Sequence, residues 1–141
     1  MRTNLKKHGL DIPGTAYFDK ALDDLCGFYE AHEKSDYYVL TDETGKVVGG
    51  IGFSCFSPIP DCAELQKLYL DDCVKGHGFG YRLIAFIEEK MREYGYKASY
   101  LETHHNLSTA IYIYEKVGYQ RIPRPKEVAH NTMDHFFYKA F

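Results

Sequence analysis

A glycine-rich turn between a strand and a helix is the feature that most restricts how this sequence can fold. Lys75-Gly76-His77-Gly78-Phe79-Gly80 follows a strand-forming run at 62–70 and opens a segment with apolar residues at helical spacing. Three glycines at alternate positions let the backbone turn tightly and point successive N–H groups at one place, where the helix dipole adds positive potential. The segment is either a flexible turn or, as its strand-to-helix setting favours, a phosphate-binding turn.

Two other classes of nucleotide-binding turn do not match this spacing. A dinucleotide-binding fingerprint needs a further glycine at position 81 or 83, where Tyr81 and Leu83 stand. A P-loop needs Gly-Lys followed by Ser or Thr, and that tripeptide is absent. The turn therefore argues against both classes.

The order of the remaining segments predicts an α/β or α+β domain with a mixed sheet flanked by helices. At 141 residues, one compact core suffices, so we expect a single domain over 1–141. The helix that starts at Phe79 places Phe86 on its apolar face and Glu88 off that face. Asp19 and Asn106 are the candidate N-caps of two other helices. The predicted helices are 20–31, 79–94 and 107–117, and the predicted strands are 37–40, 47–56, 62–70, 99–103, 119–122 and 133–141.

Charge and composition argue against nucleic-acid and membrane partners. The formal net charge is −3, and basic residues are dispersed except for Arg121, Arg124 and Lys126, so a nucleic-acid surface is not indicated. No apolar run reaches the roughly 20 residues that cross a bilayer, and the start lacks a signal-peptide pattern, which makes the cytoplasm the expected compartment. The four cysteines lack CxxC spacing and are interpreted as reduced structural residues, at positions Cys26, Cys55, Cys62 and Cys73.

Several motifs in order carry a resemblance to a known family. They are Glu64 to Leu70, the glycine-rich turn, and then Leu101-Glu102-Thr103, Asn106, Ala110, Tyr114, Gly118 and Tyr119. Together they resemble the GNAT acyltransferase superfamily, from about residue 36 to the C-terminus. The resemblance implies a mostly antiparallel sheet with a V-shaped splay between a bulged strand at 62–70 and the strand at 98–104.

The resemblance also implies where acetyl-CoA binds. Pantetheine would lie in the splay against backbone groups around Leu68 and Leu70, and the pyrophosphate on the amides of 75–80. Lys75 stands where the family has Arg or Gln, and it neutralises phosphate without a bidentate fork. Asn106 is either a helix cap or a contact to the cofactor. The expected cofactor-binding residues are Leu68, Tyr69, Leu70, Lys75, Gly76, His77, Gly78, Phe79, Gly80 and Asn106.

The chemistry of amine acylation calls for a base and an acid, because an alkylamine is protonated near neutral pH and the leaving thiolate benefits from a proton. Tyr114 matches the family tyrosine usually proposed to protonate the sulfur, and its alternative interpretation is a core ring. Glu64 is the candidate base, directly or through water; alternatively it is a solvated or salt-bridged carboxylate. His104 and His105 are either proton-relay groups or part of an exposed loop. Without a third ligand at a fixed local spacing, we expect no metal.

The expected activity is transfer of an acetyl group from acetyl-CoA to a primary amine of a small molecule or peptide by direct attack. The rival is a non-catalytic acyl-CoA-binding module. Family members usually begin with a strand that is not evident here, so the chain is truncated, or the sheet edge is open, or a second subunit of a homodimer covers it. Loops set acceptor specificity in such folds, so the acceptor stays open.

Overall fold

The computed structural model describes residues 1–7, 9–10, 24–126 and 132–141. The glycine-rich turn falls between a strand and a helix, as predicted, and a short 3-10 turn at Asp72–Val74 precedes it. The elements in chain order are α1 (Arg2–Lys7), α2 (Leu25–Glu30), β1 (Asp36–Thr41), β2 (Val47–Cys55), β3 (Cys62–Leu70), α3 (Phe79–Glu93), β4 (Ala98–Thr103), α4 (Ser108–Lys116), β5 (Gln120–Arg121) and β6 (His135–Ala140).

The strands form one six-stranded sheet in the order β1-β2-β3-β4-β6-β5. Every neighbouring pair is antiparallel except β3 with β4, which confirms the mixed, mostly antiparallel sheet. Apolar residues of α3, with Ile84 and Ile87 at their centre, pack with Ile51 and Phe53 of β2 in the main core. A smaller core includes the rings of Phe56 and Tyr100, stacked at 3.8 Å.

The parallel pairing of β3 and β4 is short. It runs from Cys62 opposite Ala98 to Glu64 opposite Tyr100, although β3 continues to Leu70 and β4 to Thr103. Beyond Glu64 the two strands diverge, which confirms the predicted V-shaped splay. The predicted bulge is present as well, because Lys67 has a left-handed φ of 52° where the register against β2 shifts.

Glycines in β2 let an aromatic ring hold the bulge. A Cβ on Gly50 would lie 2.9 Å from ring carbons of Tyr37, so only a glycine leaves room for that ring. The Tyr37 hydroxyl donates a hydrogen bond of 3.0 Å to the carbonyl of Lys67. Burial raises the pKa of Tyr37 far above its usual range, so this donor keeps its proton. The β3 side of the splay is therefore supported from behind by β1 and β2.

Three local predictions differ from the structure. Helix α2 begins at Leu25, because the Asp24 carboxylate accepts the amide of Gly27 at 3.0 Å; the predicted cap Asp19 lies outside the described residues. Helix α4 has Leu107 at its N-cap, so the assignment of Asn106 as the cap is wrong. Glu88 is 5% exposed and Phe86 is 40% exposed, the reverse of their predicted placement.

The buried position of Glu88 has a tertiary cause. Its carboxylate accepts two hydrogen bonds from the Lys139 ammonium, at 2.9 and 3.1 Å, and this pairing compensates the loss of solvent. Phe86 packs edge-on against Tyr38 at 5.0 Å between ring centroids, so its exposed ring still has a partner. Helical periodicity could not foresee either contact.

Within the described ranges, β1 is the outermost strand on its side and pairs with β2. Residues 11–23 lie outside those ranges, so the expectation of a missing first strand, and with it the single-domain and homodimer expectations, stays a prediction. In the described part of the chain, no helix is both long and apolar enough to cross a bilayer.

Candidate active site

A cleft of about 600 Å³ opens where β3 and β4 diverge. Its walls come from β3, the glycine-rich turn, the end of β4 and the first turns of α4. The splay therefore brings together segments that are far apart in sequence. The predicted site residues that line it are Glu64, Leu68, Tyr69, Leu70, Lys75, Gly76, Gly78, Phe79, Gly80 and Tyr114.

Two predicted cofactor residues lie beside the cleft and do not line it. His77 is exposed and its ring stands edge-on to Phe79 at 6.4 Å. The backbone N–H of Asn106 donates to Nδ1 of His104 at 3.1 Å.

The glycines of the turn serve different purposes. Gly76 and Gly78 have φ values of 80° and 77°, a left-handed conformation that other residues adopt only with strain. Gly78 is the N-cap of α3, and the first residues of this helix, whose amides have no partner within the helix, line the cleft. Gly80 is buried, and a Cβ there would stand 3.2 Å from a side-chain carbon of Ile113. Two glycines thus shape the backbone, and the third permits close packing of α3 on α4.

A carboxylate next to the turn holds two lysines. Asp72 pairs with Lys75 at 3.0 Å and also with Lys7 of α1. Met1 and Leu5 of the same N-terminal segment line the cleft. Sequence reasoning identified Lys75 and missed Lys7, because no motif links α1 to the turn.

Tyr114 is both a core ring and a wall of the cleft. It is 6% exposed, with the rings of Tyr119 and Phe137 at 6.0 and 6.1 Å. Burial raises its pKa well above the usual tyrosine range. Its hydroxyl therefore keeps its proton throughout the neutral range.

Two hydrogen bonds connect Tyr29 to Glu64 through Gln66. The Gln66 amide donates from Nε2 to Oε1 of Glu64 at 2.6 Å, and its own Oε1 accepts the Tyr29 hydroxyl at 2.8 Å. Tyr29 lies in α2 and is 5% exposed. Alternation along β3 puts Gln66 on the face of Glu64, so sequence could have pointed to Gln66. Tyr29 is 37 residues away from Gln66, and nothing local could have found it.

The end of β4 carries further polar groups. The Tyr100 hydroxyl donates to Glu102 at 3.1 Å, and Glu102 lines the cleft. His104 is 8% exposed, which contradicts its interpretation as an exposed loop residue, whereas His105 is exposed. Burial lowers the pKa of His104, which keeps its imidazole neutral. Burial opposes ionisation of Asp134, yet hydrogen bonds from His105 and His135 hold its pKa below the usual range.

Comparison with known proteins shows the family. The model of the Acetyltransferase (GNAT) family matches residues 5–119, beginning well before the position where the motifs start. The uncharacterised N-acetyltransferase YjgM of Escherichia coli K12 is 34% identical over 110 residues. That match covers 77% of this chain and 65% of the length of the relative.

Solved structures share the fold. A GNAT-family acetyltransferase from Staphylococcus aureus Mu50 superposes with a TM-score of 0.82 at 17% identity, over 97% of this chain and 85% of that chain. The PaiA N-acetyltransferase from Thermoplasma acidophilum, solved in complex with coenzyme A, gives 0.69 at 19% identity, over 89% and 73%. At these identities the likeness concerns the fold alone.

Proposed function

Because this chain belongs to the GNAT acetyltransferase family, we propose that it transfers the acetyl group of acetyl-CoA to a primary amine of a small molecule or peptide. The observation that carries the proposal is the cleft at the β3–β4 splay, which runs from the glycine-rich turn to Glu64 and Tyr114. One cavity thus offers an anion-binding end and an end with groups for proton transfer.

The cofactor would occupy the splay as an additional strand. Pantetheine amides pair with backbone groups of β3 around Leu68 and Leu70, where β4 has moved out of pairing distance. The pyrophosphate sits on the amides of 75–80, helped by the left-handed Gly76 and Gly78. Lys75 and Lys7 both pair with the exposed carboxylate of Asp72. Either ammonium group can exchange this contact for one with the phosphate of the cofactor.

The transfer itself is a direct attack. The neutral amine forms a C–N bond to the thioester carbonyl, Glu64 takes the amine proton directly or through water, and the tetrahedral intermediate expels the thiolate as the C–S bond breaks. Tyr114 donates its hydroxyl proton to the departing sulfur. The products are an N-acetylated acceptor and free CoA, and proton exchange with solvent then removes the proton from Glu64 and restores the one that Tyr114 gave up.

The hydrogen bonds behind Glu64 support its assignment as the base. An N–H donor interacts more strongly with a carboxylate than with a neutral carboxylic acid, so Gln66 favours the form that accepts a proton. The Tyr29 hydroxyl bonds the amide oxygen of Gln66 and thereby turns its NH₂ group towards Glu64. A carboxylate that served only as a solvated surface group would need no such support.

The alternative function is that of a non-catalytic module, which binds acyl-CoA without transferring the acyl group. The presence of Glu64 and Tyr114 on one cleft favours catalysis. The deciding experiment mixes the protein with acetyl-CoA and a panel of amines and follows free CoA with a thiol-reactive dye. Amine-dependent release supports transfer; binding of acetyl-CoA without release for any amine supports the module. Omitting the amine controls for hydrolysis.

A further inference from the structure

Three side chains able to bind a metal, with a fourth beside them, converge where β4 ends and β6 begins. His104 and His105 follow β4, while Asp134 and His135 stand at the start of β6. The antiparallel pairing of Thr103 with His135 brings the two segments together. Ligand atoms of His104, His105 and Asp134 all lie within 4.8 Å of one another, and Nδ1 of His135 is 2.7 Å from the Asp134 carboxylate.

Backbone groups orient two of these side chains. Nδ1 of His104 accepts the N–H of Asn106 at 3.1 Å, which makes Nε2 the atom through which His104 would bind a cation. The Asp134 carboxylate accepts the backbone N–H of His105 at 2.9 Å. Hydrogen bonds of this kind, behind the ligands, are what fix ring orientation and tautomer in metal sites.

From this geometry we propose that His104, His105 and Asp134, with His135 beside them, bind a divalent transition-metal ion of the zinc type. Imidazole nitrogens with one carboxylate suit Zn²⁺, Ni²⁺ or Cu²⁺, whereas Mg²⁺ and Ca²⁺ prefer oxygen ligands. The site is independent of the proposed acyl transfer.

To coordinate a cation, the ligand side chains have to move by only small distances. Bonds of about 2.0–2.1 Å in a tetrahedral site place ligand atoms roughly 3.3 Å apart. The widest of the present separations, at most 4.8 Å, must therefore shorten by about 1.5 Å, while the directly bonded His105 and Asp134 must move slightly apart. The side chains of His105 and Asp134 are 63% and 39% exposed and bond each other, so a bound cation would replace the hydrogen bond between them, while His104 is buried and stays in place.

The test is a calorimetric titration of the whole chain with Zn²⁺ after chelator treatment, with Mg²⁺ as the second ion. The variants are His105→Gln and Asp134→Asn, and the control is His32→Gln, an exposed histidine on the chain after α2. We expect one Zn²⁺ per chain, binding weakened about 10- to 100-fold in each site variant, an unchanged control, and no comparable binding of Mg²⁺.

Thermal melts in chelator check that each variant folds. His105 is exposed, so His105→Gln is expected to fold, with at most a small loss of stability from its hydrogen bond to Asp134, and its zinc affinity tests the site even if Asp134→Asn unfolds. Zn²⁺ at a concentration that saturates only the wild-type affinity should raise the melting temperature of the wild type and of His32→Gln, and should raise that of the folded site variants much less. Equal zinc affinity in the wild type and His105→Gln, or an equal loss in His32→Gln, would overturn the site.

Discussion

The hydroxyl of Tyr29 donates a 2.8 Å hydrogen bond to Oε1 of Gln66, and through it helix α2 orients the amide that bonds Glu64. The amide group has one acceptor and one donor end, so fixing the first decides where the second points. A buried tyrosine outside the cleft thus acts on the candidate base through one intermediate residue.

Removing the Tyr29 hydroxyl should therefore affect proton transfer more than binding. We expect Tyr29→Phe to lower turnover several-fold and to leave the KM for acetyl-CoA nearly unchanged. The acidic limb of the pH profile of kcat/KM should move to higher pH. The reason is that an unfixed Gln66 amide supports the Glu64 carboxylate less well. Steady-state kinetics over a pH series measure all three quantities.

Tyr96→Phe is the matched control. Tyr96 is 6% exposed, close to the 5% of Tyr29, and its hydroxyl donates a hydrogen bond of the same 2.8 Å length, to the carbonyl of Lys34. Both variants should lose about 1 kcal/mol of stability. The same kinetic change in both would mean that Tyr29 acts only through stability.

Tyr114→Phe tests the acid. The ring and its packing remain, and only the proton donor is lost, so turnover should fall by about 10²–10⁴-fold while acetyl-CoA affinity stays nearly intact. Tyr119→Phe is the comparison, because its buried hydroxyl donates to Ser99 at 2.7 Å within the same core. If turnover in Tyr114→Phe is normal and chemistry is shown to be rate-limiting, Tyr114 is a packing residue of the core and not the general acid.

Gly78→Val tests the turn. Nothing lies within 4 Å of a Cβ at Gly78, so the variant acts through its φ of 77° and by covering the amides that would face phosphate. Gly45 has a φ of 88° and equally open surroundings in the β1–β2 connection. We expect strain in both variants and a raised KM for acetyl-CoA in Gly78→Val alone. A KM unchanged by Gly78→Val would place the pyrophosphate elsewhere.

Lys7 provides a test of the charge near the turn. Lys7→Ala should weaken acetyl-CoA binding by about two- to fivefold, the range of an exposed charge interaction, and the loss should shrink at high salt. Its neighbour Lys6 is also exposed, and Lys6→Ala should change little. Asp72→Asn frees both lysines from their carboxylate and should tighten binding. Isothermal titration with acetyl-CoA measures each effect; equal losses in the two lysine variants would exclude a specific contribution of Lys7.

Local structure around the cofactor cleft could be read from the sequence. Strand β3 has the predicted bounds of 62–70, and α3 begins at Phe79 as predicted. Both follow from short-range preferences: strand-forming residues in a continuous run, and glycines where the backbone must be left-handed, as at Gly76 and Gly78. The resemblance then placed Glu64 and Tyr114, and both line the cleft.

Contacts between distant segments needed the tertiary structure. Tyr29 reaches Gln66 across 37 residues, Lys139 reaches Glu88 across 51, and Asp134 reaches His105 across 29. Each contact depends on strand register and on how a helix lies against the sheet, and these arise only when the whole core packs. The dihedral preferences and periodicity of this chain therefore determined its turn and its strands, while the packing of the sheet decided which polar groups support the candidate base and which converge into the proposed metal site.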